Sequence, residues 1–247
     1  MQQLTRVIPV ARQLLTIKID DEHHDAWLWE RAARVFNLTQ VVTELPEVTN
    51  LTADRLAIGT AALFHCAGWI TQIQQGSLNR WQVLTRPTND IQRELGAALL
   101  QEYAAHLLSP KTIRLASEAI RQCNDRGTAL VEAQLLAEAE GLDDFGVIHV
   151  LRQFRQYQAE SRPIKQLIAT WERQQEYHYW EVRINDGLRF NSTRQLARER
   201  LAAVEAFMLA LTRDLTEPDP LAALEHAAIN SDNQTPSINR SENQSSV

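Results

Sequence analysis

The stretch from Ala53 to Ile73 is apolar on almost every face of the helix that it predicts. Such a helix must be surrounded by other elements, because a surface helix keeps a polar stripe. The chain has only 8 Gly and 8 Pro among its 247 residues. That is too few turn breakers for the many short strands of a β-sandwich or an α/β fold. The sequence therefore predicts an all-α bundle with 53–73 as its central helix.

Apolar residues at helical spacing predict the other helices. Thr52 is the expected cap of the central helix, Ser109-Pro110 predicts a helix start, and Ser192 with Gln195 predicts a capping box. The predicted helical ranges are 27–42, 53–73, 90–107, 110–122, 132–140, 145–158, 163–185 and 192–211. We expect a helical domain over 1–216, a short helical extension over 217–229, and a disordered tail over 230–247, where Ser, Asn and Gln dominate.

The net charge of the chain and the length of its apolar runs limit the partners and the cellular location that we expect. A net charge of −6 gives no overall field for holding nucleic acid or an anionic membrane. The longest nearly apolar run, Leu56 to Ile70, falls short of the roughly 20 residues that span a bilayer. Arg6, Arg12 and Lys18 interrupt what a signal peptide would need as its apolar core. We expect a cytoplasmic protein with no nucleic-acid or membrane partner.

Three short sequence motifs follow one another along the chain: WLWERAARV over 27–35, AALFHCAGW over 61–69 and EAEGLDDFG over 138–146. Together they resemble the HD-domain metal-dependent phosphohydrolases, and the resemblance covers roughly residues 20–212. That superfamily is all-helical, with a His three residues before an Arg-Val pair, a His-Asp doublet on a buried helix, and a distal Asp. These side chains hold one or two divalent metals that activate water against phosphate esters. The resemblance therefore implies an HD-domain-like helical bundle.

The ligand positions of that pattern are mostly substituted in this chain. Arg31 stands at the first His position, and a fixed cation cannot ligate a metal. The doublet is His65-Cys66, Cys123 stands where fuller sites have another His, and Glu138 replaces the distal Asp. Mg²⁺ and Mn²⁺ would be held poorly by what remains. The resemblance thus implies a degenerate member, a pseudoenzyme with no cofactor and with an Arg31–Glu138 salt bridge standing in for the metal.

An alternative retains a metal ion, held by softer ligands. His65, Cys66, Cys123 and Glu138 could together hold zinc or another divalent transition metal, in an altered phosphohydrolase acting on a phosphate ester or nucleotide. Against this stands the ordinary behaviour of a free Cys as a small buried hydrophobe. The charge of Arg31 also opposes a cation at the same site.

Further basic residues suggest which kind of ligand a degenerate member would bind. His149 and Arg152 lie three residues apart, on one face of the predicted helix, and Arg126 lies in the turn before the third motif. These three, together with Arg34 and Arg155, could contact an anion if the pocket takes a small phosphate-containing ligand. For His149 and Arg152 a solvated helix face is the simpler interpretation. The sequence-based hypothesis is a binding function toward such a ligand or a protein partner, with a homo-oligomer as a further alternative.

Overall fold

The computed structural model of the chain describes residues 2–83, 87–215 and 224. The helices are α1 Leu4–Leu15, α2 Trp27–Thr43, α3 Arg55–Phe64, α4 Gly68–Gln74, α5 Asp90–Ala104, α6 Pro110–Gln122, α7 Val131–Asp143, α8 Val147–Ala159, α9 Ile164–Glu176, α10 Tyr179–Gly187 and α11 Asn191–Leu215. A short antiparallel pair, β1 Ile17–Lys18 with β2 His24–Asp25, connects α1 to α2. The all-α prediction is confirmed.

Helix α3 is the centre of the bundle and packs against α1, α2, α5, α6 and α7. Its residues from Ala57 to Phe64 are all buried, which is why the sequence shows no polar stripe there. By length and hydropathy alone, Arg55–Gln74 is apolar enough to cross a membrane, with a mean hydropathy of 1.3. However, 78% of its most apolar window is buried inside the protein, as in the core helix of a globular fold.

The predicted single helix over 53–73 is wrong, because a turn at 65–67 separates α3 from α4. The start was also misplaced: Asp54, not Thr52, accepts the first free backbone N–H groups of α3. The turn lets α5 approach closely at two glycines. A Cβ on Gly68 would lie 1.9 Å from the carbonyl oxygen of Gln92, and a Cβ on Gly96 would lie 3.0 Å from that of Phe64. This close approach brings α5 against the turn that carries His65.

Several other helix ends differ from the sequence-based prediction. Helix α7 does not stop before Gly141 but continues to Asp143. The predicted helix over 163–185 is two helices, because His178 adopts a left-handed conformation with φ 51°. The capping box at Ser192 is absent from the described contacts, since α11 begins at Asn191 and the carboxylate of Glu47 accepts the N–H groups of residues 191 and 192.

Arg155 of α8 joins the start of α2 to the 3₁₀ turn Arg80–Gln82. Its guanidinium pairs with the carboxylate of Asp25 and donates to the backbone carbonyl of Arg80. The same group lies over the rings of Trp27 and Trp81, at 5.2 and 5.0 Å from their centres. These tryptophans therefore pack around a cation within the fold.

The chain divides into two units, Met1–Met208 and Leu209–Val247. In the second unit the structure describes 209–215, which continues α11, and residue 224, which is helical. The predicted extension over 217–229 and the predicted tail over 230–247 otherwise lie outside the described residues.

Candidate functional site

A buried carboxylate, that of Glu140 on α7, lies at the meeting point of four chain segments. It accepts a hydrogen bond from Nη2 of Arg93 at 2.8 Å and one from the thiol of Cys123 at 2.9 Å. Nε2 of His65 lies 3.4 Å from its Oε1, and Nη2 of Arg31 lies 3.8 Å from the same oxygen. Burial alone would raise the pKa of Glu140, but Arg93, His65 and Arg31 together hold it well below its usual range.

Arg31 of α2 is buried among acids at the end of α7. Its Nη1 lies 3.1 Å from Asp143 and 3.4 Å from Asp144, and its side chain is only 6% exposed. Arg34, one turn further along α2, donates from Nε to Asp143 at 2.8 Å. Burial opposes the charge of Arg31, but Asp144, Asp143 and Glu140 outweigh it and raise the pKa of Arg31.

The predicted Arg31–Glu138 salt bridge is wrong, although Arg31 is indeed buried against acids. Glu138 precedes Glu140 by two residues, and side chains two positions apart on an α-helix point in nearly opposite directions. Its carboxylate accepts instead from the hydroxyl of Thr193 and from the backbone N–H of Arg189, the latter at 2.8 Å. Burial raises the pKa of Glu138.

His65 is neutral at pH 7. Its Nδ1 donates to the carbonyl of Ala62 at 2.6 Å, because a carbonyl oxygen can only accept. Nε2 therefore presents a lone pair, and it has no hydrogen-bond partner among the described residues. Complete burial is the largest influence on this residue and lowers the pKa of His65 to about 4.

Both cysteines are protonated thiols. The Sγ of Cys66 lies 3.6 Å from the carbonyl of Leu28, whereas the thiol of Cys123 faces Glu140. Burial raises the pKa of Cys66 to about 12 and raises that of Cys123 well above the usual thiol range. A nucleophilic cysteine has to be a thiolate, so neither cysteine is prepared for that role.

The metal that the resemblance implies does not fit these residues. Within residues 2–83, 87–215 and 224, no three His, Cys, Asp or Glu side chains form a group that could hold a metal ion. Nε2 of His65 and the thiol of Cys123 both approach the carboxylate of Glu140, at 3.4 and 2.9 Å. Arg31 and Arg93 point at that same carboxylate, and their fixed charges would repel a divalent cation.

Two adjoining cavities open over this cluster and share a wall. The first, of about 180 Å³, is lined by His149, Arg152, Gln153, Gln156 and Tyr179. The second, of about 240 Å³, is lined by Arg93, Cys123, Asn124, Arg126, Ala137, Glu140, Gly141, Gly187 and Arg189. The shared wall consists of Arg31, Pro87, Thr88, Asp144 and Arg183. We call the two together the arginine cleft, because six arginines line it.

The arginine cleft carries excess positive charge. Its ion-paired cluster contains the five arginines 31, 34, 93, 152 and 183 but only the three acids Glu140, Asp143 and Asp144. With His65 neutral, the net charge is two positive. Nη1 and Nε of Arg93 are buried and have no hydrogen-bond partner among the described residues, although Arg93 lines the cleft. These two nitrogens are themselves buried, whereas the six arginines that line the cleft can together provide guanidinium donors for an oxyanion ligand.

Of the residues predicted as anion contacts, His149, Arg152 and Arg126 line the arginine cleft, whereas Arg34 and Arg155 are not among its lining residues. His149 and Arg152 line the first cavity, and Nη2 of Arg152 donates to Nδ1 of His149 at 2.8 Å. Burial lowers the pKa of His149 to about 4, so it serves here as an acceptor. Arg126 lines the second cavity.

Sequence reasoning missed Arg93, Arg183 and Asp144. Arg93 could have been found, because it begins the buried stripe of α5 that continues through Ala97 and Leu100, and a charge on an apolar stripe must be paired or functional. Arg183 and Asp144 are half-exposed and lie on helices whose ends were misplaced, so their spacing carried no signal.

Comparison with solved structures identifies the fold. The chain is similar to a crystal structure described as a predicted HD superfamily hydrolase from an uncultured Thermotogales bacterium, with 15% identity, a TM-score of 0.52, and coverage of 86% of this chain and 92% of that one. It is also similar to YpgQ of Bacillus subtilis, with 18% identity, a TM-score of 0.52, and coverage of 89% and 100%. No family model and no curated protein sequence matches. The chain thus has the helical fold of HD superfamily hydrolases.

Proposed function

We propose that this protein is a catalytically degenerate HD-fold protein that binds a small phosphate-containing ligand in the arginine cleft. The observation that carries the proposal is the pairing of Glu140 with Arg93 and the approach of Arg31 to the same carboxylate. Two fixed cations there take the part that a metal has in the resembled family. A guanidinium binds oxyanions strongly, but it cannot lower the pKa of a coordinated water.

The cleft supports a ligand of this class. An anion entering it meets a cluster with two uncompensated positive charges, at depths where charges are screened less than at the surface. The six arginines that line the two cavities provide guanidinium donors for the oxygens of such a ligand. A protein partner and a homo-oligomer, both predicted from the sequence as alternatives, have no comparable observation in their favour.

The loss of metal chemistry is tested by elemental analysis of protein purified without chelator. We expect far less than one zinc, iron or manganese per chain, and no turnover of nucleotides or p-nitrophenyl phosphate after Mg²⁺, Mn²⁺ or Zn²⁺ is added. The matched comparison is a double variant, Cys66→Ala with Cys123→Ala. A near-stoichiometric metal that disappears in this variant would overturn the proposal in favour of the altered metal site.

Anion binding is tested by the melting temperature in rising concentrations of inorganic phosphate. A ligand that binds only the folded chain raises this temperature by mass action. Arg126→Gln removes an exposed arginine of the cleft and should weaken phosphate binding by roughly threefold or more. Arg114→Gln removes an exposed arginine beside Pro110 in a different groove, and it should leave phosphate binding unchanged. Equal effects of the two variants would reject the cleft as the site.

A further inference from the structure

The carboxylate of Asp144 is held by three guanidinium groups. Arg31 and Arg152 approach its Oδ1, Arg31 at 3.4 Å, and Arg183 approaches its Oδ2. Asp144 directly follows α7 as its C-cap residue and lies in the wall that both cavities share. Its side chain is 19% exposed, so the carboxylate is not sealed from solvent.

Three converging guanidinium groups match the oxygens of a tetrahedral oxyanion better than those of one carboxylate. Without Asp144, the two arginines of α2 still have two acidic neighbours, because Asp143 pairs with both Arg31 and Arg34, and Glu140 lies 3.8 Å from Arg31. Asp144 therefore occupies a cradle for anions as an internal occupant.

We propose that Asp144 competes with incoming anions for the cradle of Arg31, Arg152 and Arg183, and that its carboxylate weakens the binding of a dianion such as phosphate more than that of a monoanion. This inference rests on the proposed binding function. Without the carboxylate, the cluster has three uncompensated positive charges instead of two. The repulsion between Asp144 and an anion is proportional to the charge of the anion, so a phosphate dianion is affected more than a monoanion.

The test compares inorganic phosphate with acetate at pH 8, by titration calorimetry, in the full chain and in Asp144→Asn. The variant removes the competing charge from the cradle while keeping the side-chain size. We expect phosphate to bind about tenfold more tightly, or better, because a like charge a few ångströms away is gone. We also expect acetate to gain less, because the repulsion that the variant removes is proportional to the charge of the ligand, so that the selectivity for phosphate rises. Asp186→Asn, an exposed acid beside Arg126 and Arg189 in a neighbouring groove, controls for overall charge and should change either affinity by less than about threefold.

The outcomes separate this inference from the function on which it rests. If the unchanged protein binds phosphate and Asp144→Asn binds it equally well or more weakly, the carboxylate only orders the arginines. That result would overturn the inference that Asp144 competes with anions. Failure of both proteins to bind phosphate overturns the proposed function as well. Asp144→Ser provides the same comparison if the amide variant does not fold.

Discussion

Replacing Glu140 by Gln tests whether the buried cluster holds the fold together by charge. The substitution keeps the shape of the side chain but removes the only acid that Arg93 pairs with, at 2.8 Å, and one of three acids near Arg31. At an effective dielectric constant of about 20, each such pair is worth roughly 4 kcal/mol, and breaking a buried pair by removing one partner costs about 3–5 kcal/mol in practice. We therefore expect the free energy of unfolding to fall by at least about 3 kcal/mol.

The assay is urea denaturation at pH 7, with equal m-values as the condition for comparing free energies. Glu94→Gln is the matched control, because Glu94 pairs with Arg121 at 2.6 Å on the surface and should lose less than about 1 kcal/mol. Adding Arg93→Met to the Glu140→Gln chain should recover part of the loss, since the unpaired cation is then gone. The reasoning is refuted if Glu140→Gln loses no more than its surface control.

Three further predictions concern stability. The pKa of His65 is about 4 in the folded protein, against 6.5 for an ordinary His. Its contribution to the free energy of unfolding is therefore fully present above pH 6.5 and should fall by on the order of 3 kcal/mol toward pH 4. In unfolding titrations at decreasing pH, His65→Gln should lack this part of the acid destabilisation. Gly68→Ala forces a Cβ to within 1.9 Å of the Gln92 carbonyl oxygen and should lower the melting temperature far more than the control, Gly76→Ala. A Cβ on Gly76 meets nothing within 4 Å, and only its left-handed backbone conformation costs about 1 kcal/mol. Equal shifts in melting temperature would contradict the close approach of the helices. Arg155→Lys should lose about 1–2 kcal/mol and change the tryptophan fluorescence of the native state, because lysine cannot keep both hydrogen bonds and both ring contacts; an unchanged spectrum would contradict this packing.

The bundle could be predicted from the sequence because burial leaves a direct trace in it. The stretch 53–73 has no polar stripe, and α3 does lie at the centre, in contact with five other helices. The break at 65–67 left no such trace, since residues on both sides of it are equally buried. The break coincides with a long-range contact: Gly68, just after the turn, lies against the backbone of Gln92 in α5, and Gly96 of α5 lies against the carbonyl of Phe64. Contacts of that kind have no local signature.

The site could be predicted only in part, for a related reason. The motif order located the segments that meet at the cluster, and Arg31, His65 and Cys123 do surround one carboxylate. Choosing that carboxylate needed the phase of α7, because Glu138 and Glu140 lie on opposite faces of it. Ending the helix before Gly141 also hid Asp144, which belongs to the same helix end.

Exchanging a metal for arginines changes what such a cleft can do more than how it attracts ligands. The two excess guanidinium charges of the cluster attract an anion such as phosphate, as a divalent ion also would. What the arginines cannot provide is an open coordination position for water, since guanidinium N–H groups only donate hydrogen bonds and do not coordinate and activate a water molecule. In the proposed function, the affinity for phosphate then becomes a balance between the ligand and the side chain of Asp144 for the same three cations.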